Sequence, residues 1–353
     1  TFSVKGATFG EAAIVMIAGP RMVRFLIRQN LGDNPEFDRA DLNELTRHKG
    51  NTPTMGGVLI VTAIFAAVLL WANLGNFYIR MGLFALVWLG GLGAWDDWLK
   101  LRYAAKRGER DGLKSWEKLL FQIALAVMLS VFMCSYGKNL TTTRQFYLPF
   151  WSEAIGITLG THVLITVLTM VGASNAVNLT DGMDGLASGC MLIAAAFFLL
   201  ISWSVGVETW AQVLSLPVVH GAAEMTVLCS AMLGACLGFL WYNASPASVF
   251  MGDTGSLPLG GLLGYIAVVT RQEVLLLIAG GVFTMEAISV MLQVGWFKWT
   301  KRRSGGQGKR LFACAPIHWH FHLKGWAETK VVTRFWVLGL LFAALALASL
   351  KLK

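Results

Sequence analysis

Carboxylates at the ends of apolar segments are the first residues here that ask for a chemical explanation. Gly93-Ala-Trp-Asp-Asp-Trp-Leu-Lys100 sets Asp96 beside Asp97, with Lys100 one helical turn on. Adjacent carboxylates repel unless a divalent metal or a held proton neutralises them. A solvated helix end paired with Lys100 is the plainer alternative. A second string, Asn175-Ala-Val-Asn-Leu-Thr-Asp-Gly-Met-Asp-Gly185, spaces Asn178, Asp181 and Asp184 three residues apart, so a helix would face them one way. Gly182 and Gly185 argue instead for a bent loop in which backbone approaches a ligand. Such oxygen donors suit Mg²⁺, and the string lacks the twelfth-position Glu of a calcium loop. In a third, Phe250-Met-Gly-Asp-Thr-Gly-Ser256, Asp253 lies between glycines at a helix start, fit to cap the helix or to ligate a metal. Ser256 and the nearby amides could hold a phosphate there. The fourth, Pro316-Ile-His-Trp-His-Phe-His-Leu-Lys-Gly-Trp326, carries His318, His320 and His322, half of the chain's six histidines. With Trp319 and Phe321 between them they suggest an amphipathic recognition segment, with zinc the lesser reading.

The elements that position these residues follow from composition. Of 353 residues, 56% are hydrophobic and only 14% charged. That excludes a disordered chain and a typical cytosolic enzyme, and makes lipid part of the solvent. The net charge of +9 fits an anionic membrane surface better than nucleic acid, so no nucleic-acid partner is expected. The five cysteines form no CxxC pair and read as small buried hydrophobes.

Ten windows are apolar enough to cross a bilayer: 8–28, 55–73, 79–96, 118–136, 155–176, 186–205, 217–241, 255–270, 273–297 and 333–351. The first is the weakest, broken by Glu11, Arg21 and Arg24; it is not a cleavable signal, because its basic residues follow the apolar run. The expected fold is all-α and polytopic, one membrane domain over 1–353. Loops 29–54, 97–117, 177–185, 242–254 and 298–332, with their edges, hold 19 of the 29 Lys and Arg, against 7 in the opposite set with both termini. The positive-inside bias therefore puts the first set in the cytoplasm and both termini outside. All nine aspartates fall on that cytoplasmic side. Five of them at helix ends favour a polar site over capping alone.

Five strings in order carry a resemblance: Lys49-Gly-Asn-Thr-Pro-Thr-Met-Gly-Gly57, the Asp96-Asp97 pair, Asn178–Gly185, Phe250–Ser256 and Pro316–Phe321. Over nearly the whole chain the sequence resembles the phospho-N-acetylmuramoyl-pentapeptide transferases, of the polyprenyl-phosphate N-acetylhexosamine-1-phosphate transferase superfamily. Ten helices with outside termini are the fold the resemblance implies. Two departures are visible: the family's three-histidine run reads His-Trp-His at 318–320, and Arg302-Arg-Ser-Gly-Gly-Gln-Gly-Lys309 inserts a basic, glycine-rich stretch.

The implied reaction moves phospho-MurNAc-pentapeptide from UDP onto undecaprenyl phosphate, giving lipid I and UMP at the cytoplasmic face of a bacterial inner membrane. Lys49, Lys100 and Lys118 would supply cations for phosphates that repel. By resemblance Asp253 is the firmest Mg²⁺ ligand, with Asn178 second. Asp96 is the base and Asp97 binds metal or steadies the site. Asn175, Asp181, Asp184, Asn243 and Phe250 look like the nucleotide pocket, with Phe250 stacking on uracil. Thr54, Gln293, His318 and His320 touch sugar, phosphate or peptide, His318 in a catalytic role. Spans five and nine would form a lipid-facing groove for the prenyl tail, and a homodimer is an admissible assembly. The resemblance leaves direct attack and a covalent aspartyl intermediate both open; a phosphate nucleophile, with a second pKa of about 6, favours direct attack. The rivals are a sister transferase using UDP-GlcNAc, an ion-coupled transporter and a membrane scaffold. Glu286 alone lies deep in a span, which speaks against the transporter.

Overall fold

Long runs of Leu, Ile, Val, Ala and Phe without a breaker fold as helices, because lipid offers no other partner for backbone N–H and C=O. The computed structural model describes residues 2–28, 52–107, 112–136, 140–151 and 153–351. In chain order these give α1 (Phe2–Arg28), α2 (Gly57–Trp71), α3 (Phe77–Arg107), α4 (Ser115–Ser135), a short α5 (Leu140–Thr143), α6 (Leu159–Thr180), α7 (Leu186–Gly206), α8 (Glu208–Val213), α9 (Met225–Asn243), α10 (Asp253–Val269), α11 (Glu273–Ala279), α12 (Gly281–Arg303), α13 (Ile317–Leu323) and α14 (Glu328–Lys351). Between α5 and α6, β1 (Gln145–Phe146) pairs antiparallel with β2 (Ile155–Gly156), Gln145 opposite Gly156.

Each of the ten apolar windows contains a helix. Among the described residues six of these are long and apolar enough to span by themselves, and α11 with α12 adds a seventh as a bent pair. α2 and α10 are shorter apolar helices. One expectation is corrected: window 273–297 is not a straight helix. α11 and α12 meet at 89° at Gly280. The Gly280-Gly281 pair removes the side chains that stiffen a helix, a usual cause of a sharp kink.

α10 is the hub. All 17 of its residues are buried, as a helix enclosed on every side by other helices requires. Gly260 and Gly264 lie against α6, where a Cβ would press on the backbone of Ala173, Ser174, Thr169 and Met170. Small residues bring helix backbones close in membrane proteins. At the hub's first turn the approach is closer still: a Cβ on Gly57 of α2 would overlap the Gly255 backbone, and one on Gly93 of α3 the Asp253 carbonyl. Outward faces carry exposed Leu70, Leu168 and Leu340. Exposed tryptophans ring one end (Trp95, Trp98, Trp116, Trp241, Trp296, Trp299) and the other (Trp151, Trp203, Trp210), as aromatic belts do at the two interfaces. Beneath the second belt Arg271 donates to His162 Nε2 at 2.7 Å, and Ser130 Oγ lies 2.6 Å from His162 Nδ1, tying α4 and α6 to the end of α10.

The close approach at Gly57 gives a stability test. Gly57→Ala should lower detergent stability by about 1–3 kcal/mol through overpacking. Gly91→Ala, on the same bundle but with no atom near its Cβ position, should leave the thermal unfolding curve unchanged or raise it. Equal unfolding temperatures for the two variants would show that the backbone approach is not required.

Candidate active site

Two helices deliver the carboxylates to one point. Asp96 and Asp97 come from α3 and Asp253 opens α10, and one oxygen from each lies within 4.8 Å of the others. Two ammonium groups hold them there. Lys100 Nζ is 2.6 Å from Asp96 Oδ2 and 3.3 Å from Asp253 Oδ2. Lys118 Nζ, from the first turn of α4, is 3.2 Å and 3.0 Å from the same two oxygens. The Leu113 N–H donates to Asp96 Oδ1 at 2.6 Å. Three carboxylates against two ammoniums leave one negative charge in a buried pocket, a setting that favours a cation.

Asp97 does something different. Its Oδ1 accepts from the Asp253 N–H at 3.2 Å, and its Oδ2 accepts from the N–H and the hydroxyl of Thr254 at 2.9 Å and 2.6 Å. It therefore caps α10 from another helix, a carboxylate at the positive end of a helix dipole. The phosphate cradle expected at that helix start is corrected on the same ground. Its first amides already serve Asp97, while Gly255 N–H and Ser256 N–H turn back to the Gly252 carbonyl.

Asn178, at the end of α6, donates to Asp253 Oδ1 at 2.8 Å and to Ser256 Oγ at 2.9 Å. The loop after it is bent, as Gly182 and Gly185 predict, with Gly185 at φ +78°. Asp181 accepts from the Gly252 N–H. Burial, then the Asp253 and Asp97 carboxylates, push its carboxyl up to about 7. Asp184 Oδ2 accepts from Ala247 N–H at 3.0 Å. The 249–252 segment is clamped from the other side by Thr52–Gly57. Phe250 N–H donates to the Pro53 carbonyl, and the N–H groups of Gly56 and Gly57 donate to the carbonyls of Phe250 and Met251, each at 2.8 Å. Thr54 is buried beside Gly252. Lys49 lies outside the described residues.

Several residues assigned to substrate contact also hold the scaffold. Asn243 accepts from Gly185 N–H and Ser188 Oγ and donates to the Val249 carbonyl, which uses both ends of its amide. Asn175 donates to Gln122 Oε1 and to the Val171 carbonyl. Gln293 clasps the loop before α13, accepting from Leu311 and Phe312 N–H. The three histidines share no face. α13 is helical, so the expected alternation breaks. His318 is fully buried and turned to Glu286, Nδ1 to Oε2 3.1 Å. His320 Nδ1 accepts from Ala313 N–H, and burial followed by Lys324 lowers its pKa. His322 Nδ1 contacts the Trp326 carbonyl. Trp319 is buried between the rings of His318 and His322. The basic insert is exposed over 302–307. The sequence reading had no role for Thr254 or Glu286; the lone acid deep in an apolar span was the signal for the second.

Between α6 and the broken α11–α12 lies an apolar cavity of about 450 Å³, lined by Ile165, Leu168, Ala176, Leu277, Phe283 and Met291 among others. It occupies the interval between spans five and nine.

A glycosyl transferase family 4 profile matches residues 79–271. A phospho-N-acetylmuramoyl-pentapeptide-transferase signature matches residues 49–61. The phospho-N-acetylmuramoyl-pentapeptide-transferase of Methylacidiphilum infernorum is 41% identical over 100% of this chain and 94% of its own length. Proteins of the same name from Desulfotalea psychrophila and Neisseria meningitidis are each 42% identical, over 99% and 100% of this chain and 92% and 94% of their own. The chain belongs to the phospho-N-acetylmuramoyl-pentapeptide transferase family. For this transferase the signature residues acquire a mechanical meaning: Gly56 and Gly57 fasten the Asp253 turn. The broader profile encloses all three clustered aspartates and both lysines.

The residues present fit a divalent cation of the Mg²⁺ type. All donors are hard oxygens, three carboxylates converge, and net negative charge remains. Asp253 and Asp96 turn their oxygens into the cluster, whereas both oxygens of Asp97 are engaged by α10.

Asp181 supplies a pH test. Its folded pKa of about 7 lies above the usual Asp value of 3.8. The stability this protonation contributes is complete below the unfolded pKa and is lost as pH rises through about 7. Metal-free Asp181→Asn should therefore gain in unfolding temperature relative to wild type between pH 5 and pH 8, values chosen to bracket that window. A constant difference across that range would show that Asp181 is already ionised at pH 5.

Proposed function

We propose that this chain transfers phospho-MurNAc-pentapeptide from its UDP carrier to undecaprenyl phosphate, releasing UMP and leaving lipid I in the membrane. The observation that carries the reading is the buried trio Asp96, Asp97 and Asp253, held by Lys100 and Lys118, in a chain about two-fifths identical to transferases of that name over its whole length. The 19-to-7 distribution of Lys and Arg supports a site at the cytoplasmic face of the inner membrane, ten crossings and outside termini.

Asp253 would hold the cation, with Asp96 beside it and Asn178 as a further oxygen donor if its amide turns over. Bound there, Mg²⁺ would offset charge on the phosphates of the two substrates. Lys100 and Lys118 bridge Asp96 and Asp253 and would swing toward the phosphates when these enter. Asp96 would take the remaining proton of the lipid phosphate. An oxygen of that phosphate then bonds to the phosphorus that carries the sugar. The bond from this phosphorus to the UMP oxygen breaks, and UMP keeps the electron pair. Asp97 keeps the α10 turn, and with it Asp253, in place through these changes. The cavity between α6 and α11–α12 would take the prenyl tail. Phe250 and Asp181 would face the nucleotide.

Release of UMP from UDP-MurNAc-pentapeptide, dependent on both Mg²⁺ and undecaprenyl phosphate, is the direct test. UDP-GlcNAc in its place should give none. Asp253→Asn should abolish turnover in a protein that still folds. Asp96→Asn should lower kcat about 10²–10⁴-fold with little change in nucleotide binding, the mark of a lost base. Turnover by Asp253→Asn with unaltered Mg²⁺ dependence would remove Asp253 as the ligand.

A further inference from the structure

The turn between α6 and α7 leans on the rest of the chain. It runs over residues 181–185, carries two glycines, and sets Gly185 at φ +78°. Glycine backbone has many settings open to it, so one of them must be chosen from outside. The turn's own amides show where the choice is made. Asp181 N–H and Gly182 N–H donate back to the carbonyls of Asn178 and Thr180, and so follow α6. The next amides look further afield. Asp184 N–H donates to Glu328 Oε1 at 2.8 Å, and Gly185 N–H to Asn243 Oδ1 at 3.0 Å.

Glu328 has no place in the scheme above, and it is the only acid between Glu286 and the end of the sequence. It opens α14. About two helical turns further along the same helix, Trp336 Nε1 donates to the Gly185 carbonyl at 3.2 Å. A Cβ on Gly189 would strike that indole, so α14 and α7 meet closely there. On the other side the Arg334 guanidinium lies 4.1 Å from the centre of the Trp326 ring, which stacks on Phe321 of α13 at 4.8 Å. The last helix thus reaches consecutive residues of the turn with two of its side chains. A carboxylate that accepts from a backbone N–H makes a charge-assisted bond, one of the stronger kinds. The Asp184 carboxylate accepts in turn from Ala247 N–H, so this residue is gripped at both its amide and its side chain.

We infer that Glu328 is a positioning residue for the nucleotide: by accepting from Asp184 N–H it sets the 181–185 turn, and with it Asp181, whose carboxylate meets the Gly252 N–H beside Asp253. The inference rests on the transferase reading, in which Asp181 faces the nucleotide, but the grip on the turn can be read without activity. A contact that served only to dock α14 would add stability and leave the affinity for a nucleotide untouched.

The test uses the full chain in detergent, with UMP alone as the probe. Glu328→Ala should raise the Kd for UMP about tenfold, the reach of one hydrogen bond. The KM for the UDP substrate should rise with it, while kcat at saturation stays within about threefold. Glu328→Gln keeps a carbonyl oxygen at the same reach and should bind UMP within about threefold of wild type. Hydrogen–deuterium exchange over the 181–185 turn should quicken in Glu328→Ala and not in Glu328→Gln. Unchanged UMP affinity in Glu328→Ala overturns the inference. An equal loss in Glu328→Gln also overturns it, because the charge and not the bond would then be the cause. Should Glu328→Ala fail to fold, Glu328→Asp, shorter by one methylene, carries the same comparisons. A wild-type chain that binds no UMP sinks the transferase reading and the nucleotide role with it, while exchange at Asp184 still decides whether Glu328 holds the turn.

Discussion

Like charges in a buried pocket repel strongly, and three carboxylates within 4.8 Å of one another cannot persist there without counter-charge. Much of the architecture around the pocket answers that constraint. Lys100 reaches it from the same helix as Asp96, and Lys118 arrives from the next helix. Asp97 is matched by the first turn of α10, through two amides and the Thr254 hydroxyl. Asn178 covers the second oxygen of Asp253. Asp96 and Asp253 thus share two lysines, groups mobile enough to let go, whereas Asp97 leans chiefly on the fixed start of α10.

A second requirement follows. For Asp97 to cap a helix it does not belong to, α3 must touch the first turn of α10. That contact is possible because Gly93 has no side chain, and Gly57 permits the same from α2. Gly252 at φ +71° turns the chain into the helix at the right angle. The glycines and the acids are parts of one device: the first set the backbone distances and the second occupy the space this leaves.

Much of this was legible in the sequence. Ten apolar windows locate the helices because backbone in lipid has few alternatives, and the one-sided aspartates announce the site before any contact is known. Asp96, Asp253, Lys100 and Lys118 come together as their positions suggest. The structural roles that were not legible share a cause. Asn175, Asn243 and Gln293 look like ligand-binding amides in a motif, yet they also bind backbone and neighbouring side chains across 4 to 58 residues of sequence. Spacing along a chain does not encode such tertiary partners. Asp97 differs from Asp96 by one position, and only the helix it meets divides their tasks. The bend at Gly280 was equally hidden, since a glycine pair in an apolar run is compatible with a straight helix.

That bend has a consequence for traffic. Because α12 leaves α11 at 89°, the cavity beside α6 is walled on its outer side by Leu168, Leu277 and Met291, all more than half exposed to the surroundings. Its outer wall thus presents the apolar surface that lipid would wet. A molecule with a long hydrocarbon chain can slide in from its own leaflet and back out again without drawing that chain through water, which would cost about 0.8 kcal/mol for every methylene exposed. Arrival and departure become a search in two dimensions, along the sheet in which the molecule already travels.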